Sequence, residues 1–177
     1  MKLINTGFDG LFAIENFFQE DNRGSFTKVF SNDLYEHVGI YFSPKEIFYS
    51  ISHKDVIRGM HFQIPPADHA KLVYITSGSI IDVVLDIRKT SKTFGKYFSI
   101  QLEANKNALY IPSGFAHGFK SLENDSIVVY NQTSCHSKEH DAGMLWNSFN
   151  FNWQIENPII STRDQSFNEF LKFNSPF

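Results

Sequence analysis

Residues 71–96 read KLVYITSGSIIDVVLDIRKTSKTFGK. Two runs rich in Val, Ile and Leu, Lys71–Ser77 and Ser79–Arg88, meet at Ser77-Gly78-Ser79. β-Branched residues suit a pleated, packed surface, and the Ser-Gly-Ser interruption marks a turn. The same alternation of short apolar run and turn signal spreads in both directions. Upstream it predicts strands at 11–18, 25–30, 46–52 and 56–63, with the turn Asp21-Asn-Arg-Gly24 between the first two. Downstream it predicts strands at 98–102, 108–111, 117–121 and 126–133. Aromatic residues reach 16%, with 19 Phe, a further bias towards strands. The pattern predicts an all-β sandwich or barrel. Two short helices are expected as well. One is capped by Ser31 and runs through Val38, and the other follows the capping-box spacing Ser166-Phe-Asn-Glu169.

At 177 residues the chain has the length of one domain, 1–177, and its 42% hydrophobic content is enough for a core. Lys and Arg total 16 against 19 Asp and Glu, a net charge of −3. That balance argues against nucleic acid or an anionic membrane as the main partner, because both select clustered positive charge. No apolar run approaches the roughly 18 residues of a membrane span. The N-terminal MKLINTGFDGLF lacks the features of a secretory signal. The single cysteine, Cys135, permits no internal disulfide, and a packing role is expected for it. A cytoplasmic protein is expected. Long antiparallel sheets leave edges that a second subunit can cover, so a homodimer is expected too.

Several chemically capable residues stand where strands converge. In Val56-Ile-Arg-Gly-Met-His-Phe-Gln63, strand alternation puts His61 and Gln63 on one face and Met60 and Phe62 on the other. Lys71 opens the next strand after Pro65-Pro66. Pro112-Ser-Gly-Phe-Ala-His117 delivers a second histidine from a tight turn. Tyr130 lies late in the strand from 126, and Asp164 stands just before the expected terminal helix. In a small barrel, inward positions of several strands share one lumen. A metal site is weighed against this. Metal-binding cupin barrels usually pair His-x-His with a later Pro-x-Gly-x-x-His, and only the second half is present. Gln63 occupies the second histidine position, Asp68 and His69 are the available substitutes, and an amide is a poor transition-metal ligand. No metal is expected.

The stretches DNRGSFTKVF (21–30), VIRGMHFQIPP (56–66), 71–96, LYIPSGFAHGF (109–119), GMLWN (143–147) and STRD (161–164) resemble the dTDP-4-dehydrorhamnose 3,5-epimerase family. The resemblance spans residues 11–164. It implies a metal-free cupin fold, a double-stranded β-helix or jelly-roll barrel, and a nucleotide-linked 4-keto-6-deoxyhexose as substrate. It implies no cofactor, and a place in deoxysugar synthesis such as that of rhamnose for surface polysaccharide. Epimerisation beside a ketone needs a base for the α-hydrogen, a stabiliser for the enolate and an acid on the opposite face. By resemblance His61 is the base, polarised by Asp164, Lys71 stands by the oxyanion, His117 lines the sugar site and Tyr130 is the acid. Arg23 and Arg58 match diphosphate-binding positions, Asp141 matches a ligand-contacting Glu, and Arg163 matches a Lys.

The chain departs from the family pattern at Lys28, where a Glu is usual, and at Cys135-His136, where tyrosines are usual. A lysine donor suits cytosine N3 or guanine O6, so Lys28 admits a CDP- or GDP-linked substrate. The altered wall admits inversion at C3 or C5 alone. A sugar-nucleotide ketoisomerase, a non-catalytic binding cupin and a metal-dependent dioxygenase-type cupin complete the alternatives.

Overall fold

The computed structural model describes residues 1–177. Its strands are β1 (Lys2–Asn5), β2 (Phe12–Glu15), β3 (Phe17–Asp21), β4 (Gly24–Lys28), β5 (Glu46–Ser52), β6 (Ile57–Gln63) and β7 (Lys71–Ser77). They continue as β8 (Ser79–Asp86), β9 (Tyr97–Glu103), β10 (Asn107–Ile111), β11 (Phe115–Ser121), β12 (Ser126–Gln132) and β13 (Asp141–Gly143). Two short helices, α1 (Asn32–His37) and α2 (Thr162–Gln165), and a 3-10 turn at Phe170–Lys172 complete the chain. One sheet has the order β1-β2-β10-β7-β12-β5 and the other β13-β6-β11-β8-β9, while β3 and β4 form a separate hairpin.

Strand alternation explains how the sheets are filled. Val73, Ile75, Leu109 and Val128 of one sheet meet Ile80, Val84, Phe115 and Phe119 of the other in the central core. Their neighbours along the strands point the opposite way. Leu72, Ala108 and Tyr110 pack under α1 with Tyr35, Ile40 and Phe42. Met60, Phe62, Val83, Leu85 and Ala116 are covered by the C-terminal segment through Met144, Trp153, Phe170, Phe173 and Phe177. Strands buried on both faces read as continuous apolar runs rather than alternating ones. That is the character of Ser79–Asp86, where only Ile81 is not fully buried.

Some expected elements differ. The strand expected at 11–18 breaks at Asn16, whose amide bonds Lys106 O, and the chain turns off there into the exposed β3–β4 hairpin. β1 and β13 carry too few patterned residues to be read alone. Ser31 precedes α1 by position but makes no side-chain cap bond. The helix expected from Ser166 does not form, and Asp164 lies within α2 rather than before a terminal helix. Ser161 caps α2 by accepting the Asp164 amide, and Ser166 ends it. The following phenylalanines are drawn onto the outer core instead of a helical face. Cys135 is exposed, not a packing residue.

No helix is long and apolar enough to cross a membrane.

Candidate active site

Four inward-facing strands meet at a cavity of about 280 Å³ lined by His61, Lys71, His117 and Tyr130, among others. The alternation that sends Met60 and Phe62 outwards turns His61 and Gln63 into this lumen. His117 stands opposite His61 in the β11–β6 register, and Gln132 opposite Lys71 across β12–β7. Gly114 (φ +85°) sets the turn that starts β11, as Pro112-Ser-Gly predicts. At Gly59 a Cβ would lie 2.5 Å from Gly118 Cα and 2.9 Å from His117 O, so only glycine allows β6 to approach β11 this closely.

His61 Nε2 lies 2.9 Å from Asp164 Oδ1, while the other carboxylate oxygen accepts the Gly59 amide at 3.0 Å. With Nε2–H donating to the carboxylate, the neutral ring has Nδ1 as its lone-pair nitrogen. Burial alone would raise the Asp164 pKa. Hydrogen bonds from His61, Gly59 and Ser161 outweigh that and hold it below the ordinary carboxylate value.

A second histidine–carboxylate pair lies in the same lumen. His117 Nε2 is 2.8 Å from Asp82 Oδ2, with side-chain exposures of 4% and 0%. Burial lowers the His117 pKa despite the carboxylate beside it, so the ring is kept neutral. Sequence spacing does not select Asp82, although a signal is there. It is an acid at an inward position of the Ile80-x-Asp82-x-Val84 stripe, where an apolar residue is the rule.

Lys71 is buried and its pKa is lowered to about 8, chiefly by desolvation, with Asp82 and Asp141 opposing the shift. Burial raises the Tyr130 pKa strongly, so the phenol keeps its proton across the physiological range. Its hydroxyl is 3.2 Å from Ser50 Oγ, and its ring stacks on Phe48 at 4.9 Å. His69 lies in the wall with its pKa pulled to about 3, mainly by burial, and its Nε2 is buried without a partner. Gln63 is tied up locally, donating to Ala67 O at 2.7 Å and accepting from the Ser137 amide at 2.6 Å. No three His, Cys, Asp or Glu side chains gather as a ligating group.

Of the expected binding residues, Arg58, Asp141 and Arg163 reach the cavity. Arg163 is held by Asp141 at 2.7 Å, and Arg58 bonds Ser52 Oγ and Ile51 O. Arg23 and Lys28 do not line it. Both sit exposed on the β3–β4 hairpin, where Arg23 folds back on Asp21 at 2.6 Å. Phe48 and Ser50 in the cavity wall, Asp82 on His117 and Phe167 against His61 are features that sequence spacing does not single out.

The fold is a cupin-type double-stranded β-helix, and its lumen brings together a histidine–carboxylate pair, a buried lysine and a protonated phenol. The chain belongs to the dTDP-4-dehydrorhamnose 3,5-epimerase family, whose model matches residues 5–172. It is 37% identical over 175 residues, 97% of each chain, to the dTDP-4-dehydrorhamnose 3,5-epimerase of Shigella flexneri. The enzyme of that name from Bacillus anthracis, crystallised with TDP and pyrophosphate, superposes with a TM-score of 0.91. That pair is 35% identical, covering 95% of this chain and 98% of the other. The Legionella pneumophila enzyme in complex with dTDP-4-keto-L-rhamnose gives a TM-score of 0.88 at 30% identity, covering 98% of this chain and 94% of that one.

Proposed function

We propose that this protein is an isomerase that converts dTDP-4-dehydro-6-deoxy-D-glucose to dTDP-4-dehydro-L-rhamnose by inverting C3 and C5. The observation that carries the reading is one lumen holding the His61–Asp164 dyad together with Lys71 and Tyr130. His61 takes the hydrogen α to the C4 ketone, and the C–H electron pair moves to make the enolate. The Asp164 carboxylate fixes the imidazole tautomer and stabilises the imidazolium that forms. Lys71 supplies positive charge for the oxyanion in a dry site, where such an interaction is strong. Tyr130 gives its phenolic proton to the opposite face of the carbon, which inverts the centre. Solvent then removes the proton from His61 and restores that of Tyr130. Repetition at the second carbon completes the reaction, and proton balance is kept without an oxidant.

Arg58, Arg163 and Asp141 at the rim suit the diphosphate and sugar, the guanidinium fork matching phosphate oxygens. The relatives crystallised with TDP and with the dTDP-sugar support thymidine over cytidine or guanosine.

We further infer a homodimer. β5 forms a sheet edge with Ile47, Tyr49 and Ile51 exposed, and the separate β3–β4 hairpin exposes Phe17, Phe18 and Phe26. A second copy over these faces is the reading under which Arg23 and Lys28 would meet ligand.

The test is incubation in D2O with dTDP-4-keto-6-deoxyglucose and, separately, its CDP counterpart. Two deuterons, at C3 and C5 of the dTDP sugar, are expected. A single deuteron would reduce the protein to a one-site epimerase. Exchange confined to the CDP sugar would change the substrate.

A further inference from the structure

We propose that Phe167 is a positioning residue that sets the plane of the His61 imidazole. The inference rests on His61 being the base. Asp164 holds one ring nitrogen of His61, which fixes that atom but leaves the ring free to tilt about the N···O line. His61 is also not deeply packed, with 31% of its side chain exposed. Phe167 meets the imidazole edge-on, the centroids 5.9 Å apart and the planes at 75°. A perpendicular aromatic neighbour resists the tilt that the hydrogen bond permits.

Phe167 is itself held from several sides. The Arg163 guanidinium lies 5.2 Å from its ring centroid, tying it to the Arg163–Asp141 pair at the rim. The Leu145 amide donates to Asn168 O, and the Phe170 amide to Ser148 Oγ, so the chain beyond it is pinned to the 145–148 loop. Its ring also fills the space above Gly143, the residue paired with His61 in the β13–β6 register. Gly143 does not use the left-handed region, so its backbone tolerates a side chain, yet a Cβ there would overlap the Phe167 ring. Gly143 is therefore the floor of an aromatic clamp, and Arg163 and the loop beyond are its sides. Misplacing a reacting group by about 1 Å can cost of the order of 10²-fold in rate, so loosening such a clamp has a measurable reach.

The experiment uses the full chain and four variants: Phe167→Ala, Phe167→Leu, Gly143→Ala and the double variant. The first readout is the NMR spectrum of the His61 ring, assigned by its loss in His61→Ala. A cross-peak between the Phe167 and His61 rings is expected in the wild type. A His61 ring signal broadened by averaging is expected in Phe167→Ala and Gly143→Ala. The second readout is α-proton exchange on dTDP-4-keto-6-deoxyglucose. Phe167→Ala should lose roughly tenfold in kcat with KM changed less than about twofold, and Phe167→Leu should recover part of the loss. Gly143→Ala should give the same loss although every Phe167 atom remains. The double variant should be no worse than Phe167→Ala, because the added methyl then enters vacated space. An unchanged His61 signal with wild-type kcat in Phe167→Ala overturns the proposal. So does a loss confined to KM or to the folded fraction. If His61→Ala keeps full turnover, the base assignment fails instead, and the ring spectra still decide whether the clamp exists.

Discussion

Two histidine–carboxylate pairs face one lumen with almost the same separation, 2.9 Å for His61–Asp164 and 2.8 Å for His117–Asp82. Their surroundings differ. The first spans β6 and α2, and its histidine side chain is 31% exposed. The second joins adjacent strands β11 and β8 inside the sandwich and is nearly sealed, at 4% and 0%. Under the proposed mechanism the base must return its proton to solvent after each inversion, and the open pair is the one with that access. The sealed pair keeps a neutral imidazole beside a buried carboxylate. With nearly equal separations, exposure rather than geometry is what distinguishes the two pairs.

The largest test of this division is removal of the two imidazoles. His61→Ala is expected to abolish α-proton exchange, a loss on the order of 10³-fold, whereas His117→Ala should retain measurable exchange at a raised KM. Equal losses in kcat, read by deuterium uptake, would erase the distinction. The carboxylates should divide in the same sense. Asp164→Asn is expected to lower kcat by roughly 10²-fold with little change in melting temperature. Asp82→Ala, which breaks a buried pair, should cost about 3 kcal/mol and lower Tm by roughly 10 °C. Calorimetry and exchange kinetics on both variants check the crossing.

A third test concerns Lys71, which lines the same cavity as both histidines. Lys71 titrates at about 8, so its charge is present below that pH and lost above it. Activity is expected to fall as pH rises through about 8, and Lys71→Arg should extend the plateau to higher pH while lowering kcat. A basic limb unmoved in Lys71→Arg would remove Lys71 from the oxyanion role. Next, Tyr130→Phe should spare exchange more than inversion, since it removes the acid and leaves the base. NMR of the product sugar distinguishes the two.

The smallest effect is expected from acid. The His117 pKa lies below its ordinary 6.5 in the folded protein, so below that pH the unfolded chain binds a proton that the folded one refuses. Stability therefore falls as pH drops below 6.5, by at most about 1.4 kcal/mol per pH unit from this group. Denaturant melts at stepped pH should show a shallower decline in His117→Gln.

Much of this is legible in the chain. The alternation of Arg58-Gly-Met-His61-Phe-Gln63 places His61 and Gln63 together because strand geometry allows no other arrangement. The strands at 46–52 and 71–77 stand at the bounds that composition predicts. Asp82 carries a weaker signal, since an acid within an apolar inward stripe points to a buried partner without naming it. Phe167 carried no such signal, since a phenylalanine near a chain of phenylalanines reads simply as core. Arg23 matches a binding motif and Lys28 departs from one, and both hairpin positions lie away from the lumen.

The all-β architecture and the family are readable from the chain alone, because they depend on local periodicity and on motif chemistry, and so is the set of candidate reacting groups. Only the packing of the folded chain shows which histidine is open and which sealed, that Asp82 partners His117, and that Phe167 stands against His61. Those facts depend on distances between strands far apart in the chain and on how much water each pair retains. Local periodicity fixes the face on which a side chain lies, but the packing of the other elements fixes what it meets there.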